Sequence, residues 1–229
     1  MSVIYTLTFR DEARVPCMCG PEERLDLAVE VMQRIGAAEK NPLLVLPAGY
    51  VWTLSPKDRD GWVEGMAAAS RDSRMAIVFG IDVETGAKWS MDRRLRSYAF
   101  AYDCGRPLLE ASSGESPLGA RTVTLGGLRA TVLFGQELFR PAALAAVAAT
   151  RPDVALVLGH GEPTHKWREP LSVLNEAAPT LVVHQSVEVR RPAKAEPPRG
   201  WRATVTPGLI RVTRYVRQPD GAGDSVVGH

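Results

Sequence analysis

Hydrophobic positions along this chain alternate between short unbroken runs and helical spacing. Leu128–Pro141, LRATVLFGQELFRP, is the stretch around which the rest is arranged. Val132, Leu133 and Phe134 form a continuous apolar run, the pattern of a strand covered on both faces. The run, predicted as a strand over Ala130–Phe134, stops at Gly135, and a helix is predicted to start near Glu137. A strand end that feeds a helix start is where an α/β fold places its chemistry. The turn carrying Gly135, Gln136 and Glu137 is therefore the predicted functional edge.

The same patterns divide the rest of the chain. Val3–Phe9 alternates as a strand. Asp11–Pro21 reads as a loop, and Glu22–Ala38 as an amphipathic helix, because Leu25, Val29, Met32 and Ile35 recur at helical spacing. Leu43–Leu46 is a buried strand stopped by Pro47, Ala48–Pro56 a loop, Gly61–Arg71 a second helix and Met75–Phe79 a third strand. Ser97–Tyr102 and Pro107–Glu110 flank a turn at Asp103–Arg106 that contains Gly105. Ser112–Ala120 reads as a polar loop. Arg121–Leu125 and Leu128–Phe134 flank Gly126-Gly127, a second hairpin signal. Helix Pro141–Thr150 leads to strand Val154–Leu158, and helix Trp167–Ala177 to strand Thr180–Gln185. Arg190–Gly200 is rich in proline and reads as extended. Trp201–Thr206 and Gly208–Val216 make a last hairpin, and Gln218–His229 reads as a flexible tail. Two αβ halves joined by hairpins imply two sheets packed face to face with helices outside, in one domain over 1–217.

Composition adds limits. The 229 residues are 45% hydrophobic, enough for one full core. The charge is +2, from 28 basic and 26 acidic residues, which gives no electrostatic case for nucleic acid or a membrane as partner. Three cysteines, Cys17, Cys19 and Cys104, argue against a disulfide framework and suit a reducing cytosol, so a cytoplasmic protein is expected. The opening MSVIYTLTF reads as a strand and not a signal peptide, and no run is long enough to span a bilayer.

Several residues are candidates for chemistry. His160, Glu162 and His165 follow a strand at the same predicted edge as Gly135. Two imidazoles and a carboxylate on a short loop could hold a divalent metal; as ordinary loop residues they would only solvate a strand end. Cys17 and Cys19 form a C-x-C pair that could bind a soft metal, or sit as two loop cysteines partly covered by the core. Glu137 could act as a base, but an acid at a helix start also satisfies the dipole. Tyr50 and Trp52 line a pocket or pack in the core. No cofactor is expected.

At three stretches the chain resembles the nitrilase superfamily, the carbon–nitrogen hydrolases. Leu43–Tyr50, LLVLPAGY, is similar to the family's strand ending in Pro-Glu-Gly and an aromatic. Tyr98–Glu110 is similar to the hairpin that precedes the family lysine. Leu128–Pro141 is similar to the family's apolar strand, Cys, aromatic, acid and, six residues after the Cys, Pro. Trp167–Gln185, with Asn175, resembles the helix and strand that follow.

The resemblance implies a four-layer α-β-β-α sandwich and a homodimer associating through its outer helices, with the small residues of Ala142–Ala149 suited to close packing. It also implies a Glu–Lys–Cys chemistry, in which a thiolate attacks an amide or nitrile carbon. The residues at those positions are Ala48 for the Glu, Ser113 by count for the Lys, and Gly135 for the Cys. Lys88 precedes the hairpin and is a poor substitute, and no cysteine lies beyond Cys104. The expected function is that of a non-catalytic protein binding a small ligand or a partner. The alternative is a hydrolase of C–N bonds with replaced chemistry, metal-assisted through His160, Glu162 and His165.

Overall fold

The computed structural model describes residues 2–10, 20–53, 55–85, 94–114, 121–160, 165–184, 186–187, 197–206 and 210–219. In chain order these form β1 (Val3–Arg10), α1 (Pro21–Ala38), β2 (Leu43–Val45), β3 (Val51–Thr53), α2 (Pro56–Asp72), β4 (Ala76–Thr85), β5 (Arg94–Asp103) and β6 (Arg106–Ser112). The second half supplies β7 (Thr122–Leu125), β8 (Leu128–Phe134), α3 (Pro141–Thr150), β9 (Val154–Leu158), α4 (Arg168–Ala177), β10 (Thr180–Val183), β11 (Ser186–Val187), β12 (Trp201–Thr206) and β13 (Ile210–Arg217). Most of the expected tail, the C-x-C pair, Lys88, Glu162 and most of the proline-rich stretch lie outside the described residues.

Two sheets form. The larger runs β12-β13-β1-β2-β4-β5-β6, with β11 added beside β1 and β3 beside β4; the smaller runs β10-β9-β8-β7. Strand alternation sorts the side chains into three apolar layers. Ile4, Val45, Val78, Ala99, Val132, Phe134, Leu156 and Leu158 face the space between the sheets. Leu44, Ile77, Phe79 and Ile81 face the other way, onto Ala28, Met32 and Met66 of α1 and α2. Leu133, Ala155 and Val157 face Ala143, Val147 and Leu174 of α3 and α4. The result is the α-β-β-α sandwich that two αβ halves imply.

The parallel pairs β2–β4, β8–β9 and β9–β10 need crossovers, and α2, α3 and α4 supply them on the outer faces. Helix starts are chemically marked. Ser55 caps α2 by accepting from the backbone of Lys57 and Asp58, with Pro56 as the first helical residue. Pro141 opens α3 in the same way. Asn175 Oδ1 accepts from Thr180 N at 3.2 Å, which ties α4 to the start of β10.

Three sequence expectations change. The loop expected over Ala48–Pro56 contains β3, and α2 begins at Pro56, one full turn before Gly61. The third strand runs to Thr85, since Gly80–Thr85 pair with Ala99–Arg94 of β5. The helix expected near Glu137 is a 3-10 turn, Gly135–Phe139, and the α-helix waits for Pro141. Proline fixes φ and lacks an N–H, so it suits a first helical position and not the interior of an earlier helix.

Candidate functional site

β8 and β9 are parallel and in register, Phe134 beside Leu158, so the segments after them leave the small sheet at one rim. The larger sheet meets that rim with two features. The bend after β2 places Ala48 against β4: a Cβ built on Gly80 would lie 2.6 Å from Ala48 Cα and 2.7 Å from Pro47 O. Glycine at 80 therefore permits the close approach of the two backbones. Two residues on, with the same orientation toward the inner face, comes Asp82.

Asp82 joins the sheets. Its Oδ2 lies 2.7 Å from Nε2 of His160, just past β9. Asp82 is buried, whereas the His160 side chain is 44% exposed. The other oxygen, Oδ1, is buried and has no hydrogen-bond partner among the described residues. Ser97, buried, sits directly across from Asp82 on β5. The hydrogen bond that His160 donates to Asp82 holds the imidazole above its ordinary pKa, with burial opposing it and the carboxylate's charge adding to it.

At Gly135 the surroundings are closed. A Cβ there would overlap the Trp167 indole and stand 3.0 Å from its Cζ2. Trp167 ends the short 3-10 turn His165–Trp167. Phe139 meets the indole edge-on, with ring centroids 6.4 Å apart. The ring thus lies where a side chain at position 135 would project.

Glu137 is buried two residues later. Its Oε2 accepts from Arg121 Nη1 at 2.6 Å and from the Phe134 backbone N–H at 3.0 Å. Arg121, also buried, donates from Nη2 to the Ser112 carbonyl at 3.2 Å, and its guanidinium carbon lies 5.3 Å from the Phe134 ring centroid. One ion pair therefore ties the end of β6, the start of β7 and the end of β8. Such a carboxylate holds the turn in place.

The other candidates scatter. Tyr50 is fully buried on the helix side of the larger sheet; its hydroxyl donates to Arg24 O at 2.8 Å, and burial pushes its pKa up. Trp52 is largely exposed on β3, beside Asp82 in register. Gln136 and His165 are exposed. Ser113 is half-buried, and its backbone N–H donates to Ser97 O at 2.9 Å. Among the described residues, no three His, Cys, Asp or Glu side chains gather as a metal would require.

Sequence reasoning missed Asp82, Arg121 and Trp167. Asp82 had a signal: it continues the period-two inner face of Ala76, Val78 and Gly80, once the strand is carried past the glycine. Arg121 and Trp167 reach Glu137 and Gly135 across loops, and periodicity carries no such information.

Solved structures of an amidase from Nesterenkonia sp. AN1, of the nitrilase superfamily, are similar to this chain. One is 18% identical with a TM-score of 0.64, over 96% of this chain and 94% of that one. A double variant of the amidase, in complex with acrylamide, is 16% identical with a TM-score of 0.63, over 96% and 92%. A third shows covalent addition of the acetamide moiety of fluoroacetamide at the active-site cysteine of that enzyme; it is 17% identical with a TM-score of 0.63, over 94% and 90%. At such identities the likeness establishes a nitrilase-like fold. No protein-family model and no curated protein matches the chain.

Proposed function

We propose that this chain keeps a carbon–nitrogen hydrolase scaffold without its thiol chemistry, and serves to bind a small ligand or a partner. The observation that carries the reading is at Gly135. The position that the resemblance assigns to the nucleophile has no side chain, and Trp167 fills the space into which one would project. Ala48, at the position assigned to the acid, carries only a methyl group and is buried in the core between the sheets. Neither residue can attack a carbon or move a proton. The test is ammonia release from a panel of amides and nitriles by the purified protein. The expected result is no rate above the blank; a rate that saturates with substrate overturns the reading.

Association of two copies through the outer helices belongs to the same proposal. A groove of about 760 Å³ lies between α3 and α4, lined by Leu138, Phe139, Pro141, Leu144 and Val173 among others, with Glu169 and Glu176 also at its wall. Phe139 and Val173 are 51% and 46% exposed there. The opposite side of α3, Ala143 and Val147, is taken up by the sheet, which leaves Ala145 and Ala148 on the groove. Small residues along a helix permit close approach of a second helix.

A further inference from the structure

We propose that Asp82 is the anchor of the ligand site between the two sheets, and that it takes a small planar cation with paired N–H donors, an amidinium or guanidinium, which displaces His160. This rests on the reading above that the rim binds a ligand without turning it over.

The carboxylate is placed for such a partner. Asp82 sits on the inner face of β4, about 7 Å along the strand from Gly80, the residue against which Ala48 packs. It is therefore near the position that the resemblance gives to an acid, but it comes from a different strand. One of its oxygens is used and one is not: Oδ2 faces His160 Nε2 at 2.7 Å, and Oδ1 is buried without a donor among the described residues. A buried acceptor without a donor is disfavoured, and an anion more so than a neutral group. The arrangement is half satisfied by the protein itself.

The single imidazole N–H cannot serve both oxygens. An amidinium or guanidinium presents two parallel N–H groups at the spacing of a carboxylate, so it would satisfy Oδ1 and Oδ2 together. Its positive charge replaces the one that a protonated His160 brings. Displacement of His160 is structurally simple, since its ring is 44% exposed and Asp82 is the partner that holds it from the other sheet. Trp52, exposed on β3 in register with Asp82, offers an aromatic surface on the neighbouring strand. A neutral amide has one NH2 group and no charge, and so engages the carboxylate less well.

The test uses the full chain with acetamidinium, N-methylguanidinium and the neutral acetamide, by titration calorimetry and by NMR of the His160 ring. The expected result is saturable binding of both cations, with acetamide weaker by about tenfold or more. As the cations bind, the His160 ring signals move toward those of an unpaired imidazole. Asp82→Asn, which keeps the side-chain shape, weakens the cations by about tenfold or more. His160→Ala binds them at least as tightly as the wild type, because no competing donor has to leave. Acetamide binding as well as acetamidinium, His160→Ala losing binding as Asp82→Asn does, or no saturable binding of the cations by the wild type would each overturn the inference. If Asp82→Asn does not fold, the His160→Ala and NMR results decide alone. Ammonia release in the same samples separates the two levels. Turnover of acetamide contradicts the non-catalytic reading whatever binds, and absent cation binding without turnover removes only this inference.

Discussion

Gly135 and Trp167 are one structural unit, since the indole lies where a Cβ would point. Gly135→Ala is therefore expected to cost about 1–3 kcal/mol of stability, the usual result of adding a carbon to a filled site. Combining it with Trp167→Ala should recover part of that loss relative to the sum of the single changes, as measured by urea unfolding in a double-mutant cycle. Strict additivity would show that the two residues are not in contact. Glu137 has a different role. Its pairing with Arg121 is buried on both sides, so Glu137→Ala or Arg121→Met leaves an uncompensated charge. A loss of about 3–5 kcal/mol is expected for either. A loss well under 1 kcal/mol in the same unfolding assay would contradict the structural role.

The second half of β4 is the element on which the rim depends. It was not legible as strand, because Gly80 interrupts the apolar run of Met75–Phe79 and reads as a stop. Pairing with β5 on one side and β3 on the other overrides that local signal and carries Asp82 into the interior. β8 and β9 were legible for the opposite reason: Val132–Phe134 at the end of β8 and all of β9 are unbroken apolar runs closed by a glycine, and Pro141 marks where α3 can begin. The contacts that shape the site, Arg121 with Glu137 and Trp167 with Gly135, link residues far apart in sequence and leave no pattern within either segment.

Because His160 is bonded across to β4, protonation at the rim couples the two sheets. The His160 pKa is raised in the folded state above the ordinary 6.5. The folded protein thus binds more protons than the unfolded chain between 6.5 and the raised value. The resulting stabilisation is complete below that ordinary value and is lost as pH rises through the raised one. The urea midpoint should fall as pH goes from about 6 to about 8. Asp82→Asn should flatten that part of the profile, and an unchanged slope in the variant would assign the pH dependence elsewhere.

For the whole molecule, the order of elements was enough to imply two sheets with helices outside, because strand–helix–strand units must cover the faces of a parallel sheet. The outer face of α3 and α4 is the surface left with an apolar groove. Light scattering on the purified chain is expected to give a dimer, and Phe139→Glu to shift it to monomer. A monomeric wild type would leave the groove without this role. No described helix is long and apolar enough to cross a membrane.

On the proposed reading, the rim is a nitrilase-like scaffold without a nucleophile at its turn. The most direct measurement is the steady-state rate of ammonia release from amides and nitriles by the wild-type chain, beside a variant with Cys17, Cys19 and Cys104 all changed to Ser. Both rates should match the blank at every substrate concentration. A wild-type rate that saturates with an amide or a nitrile would contradict the loss of chemistry, and its survival in the cysteine-free variant would show that another group supplies the nucleophile.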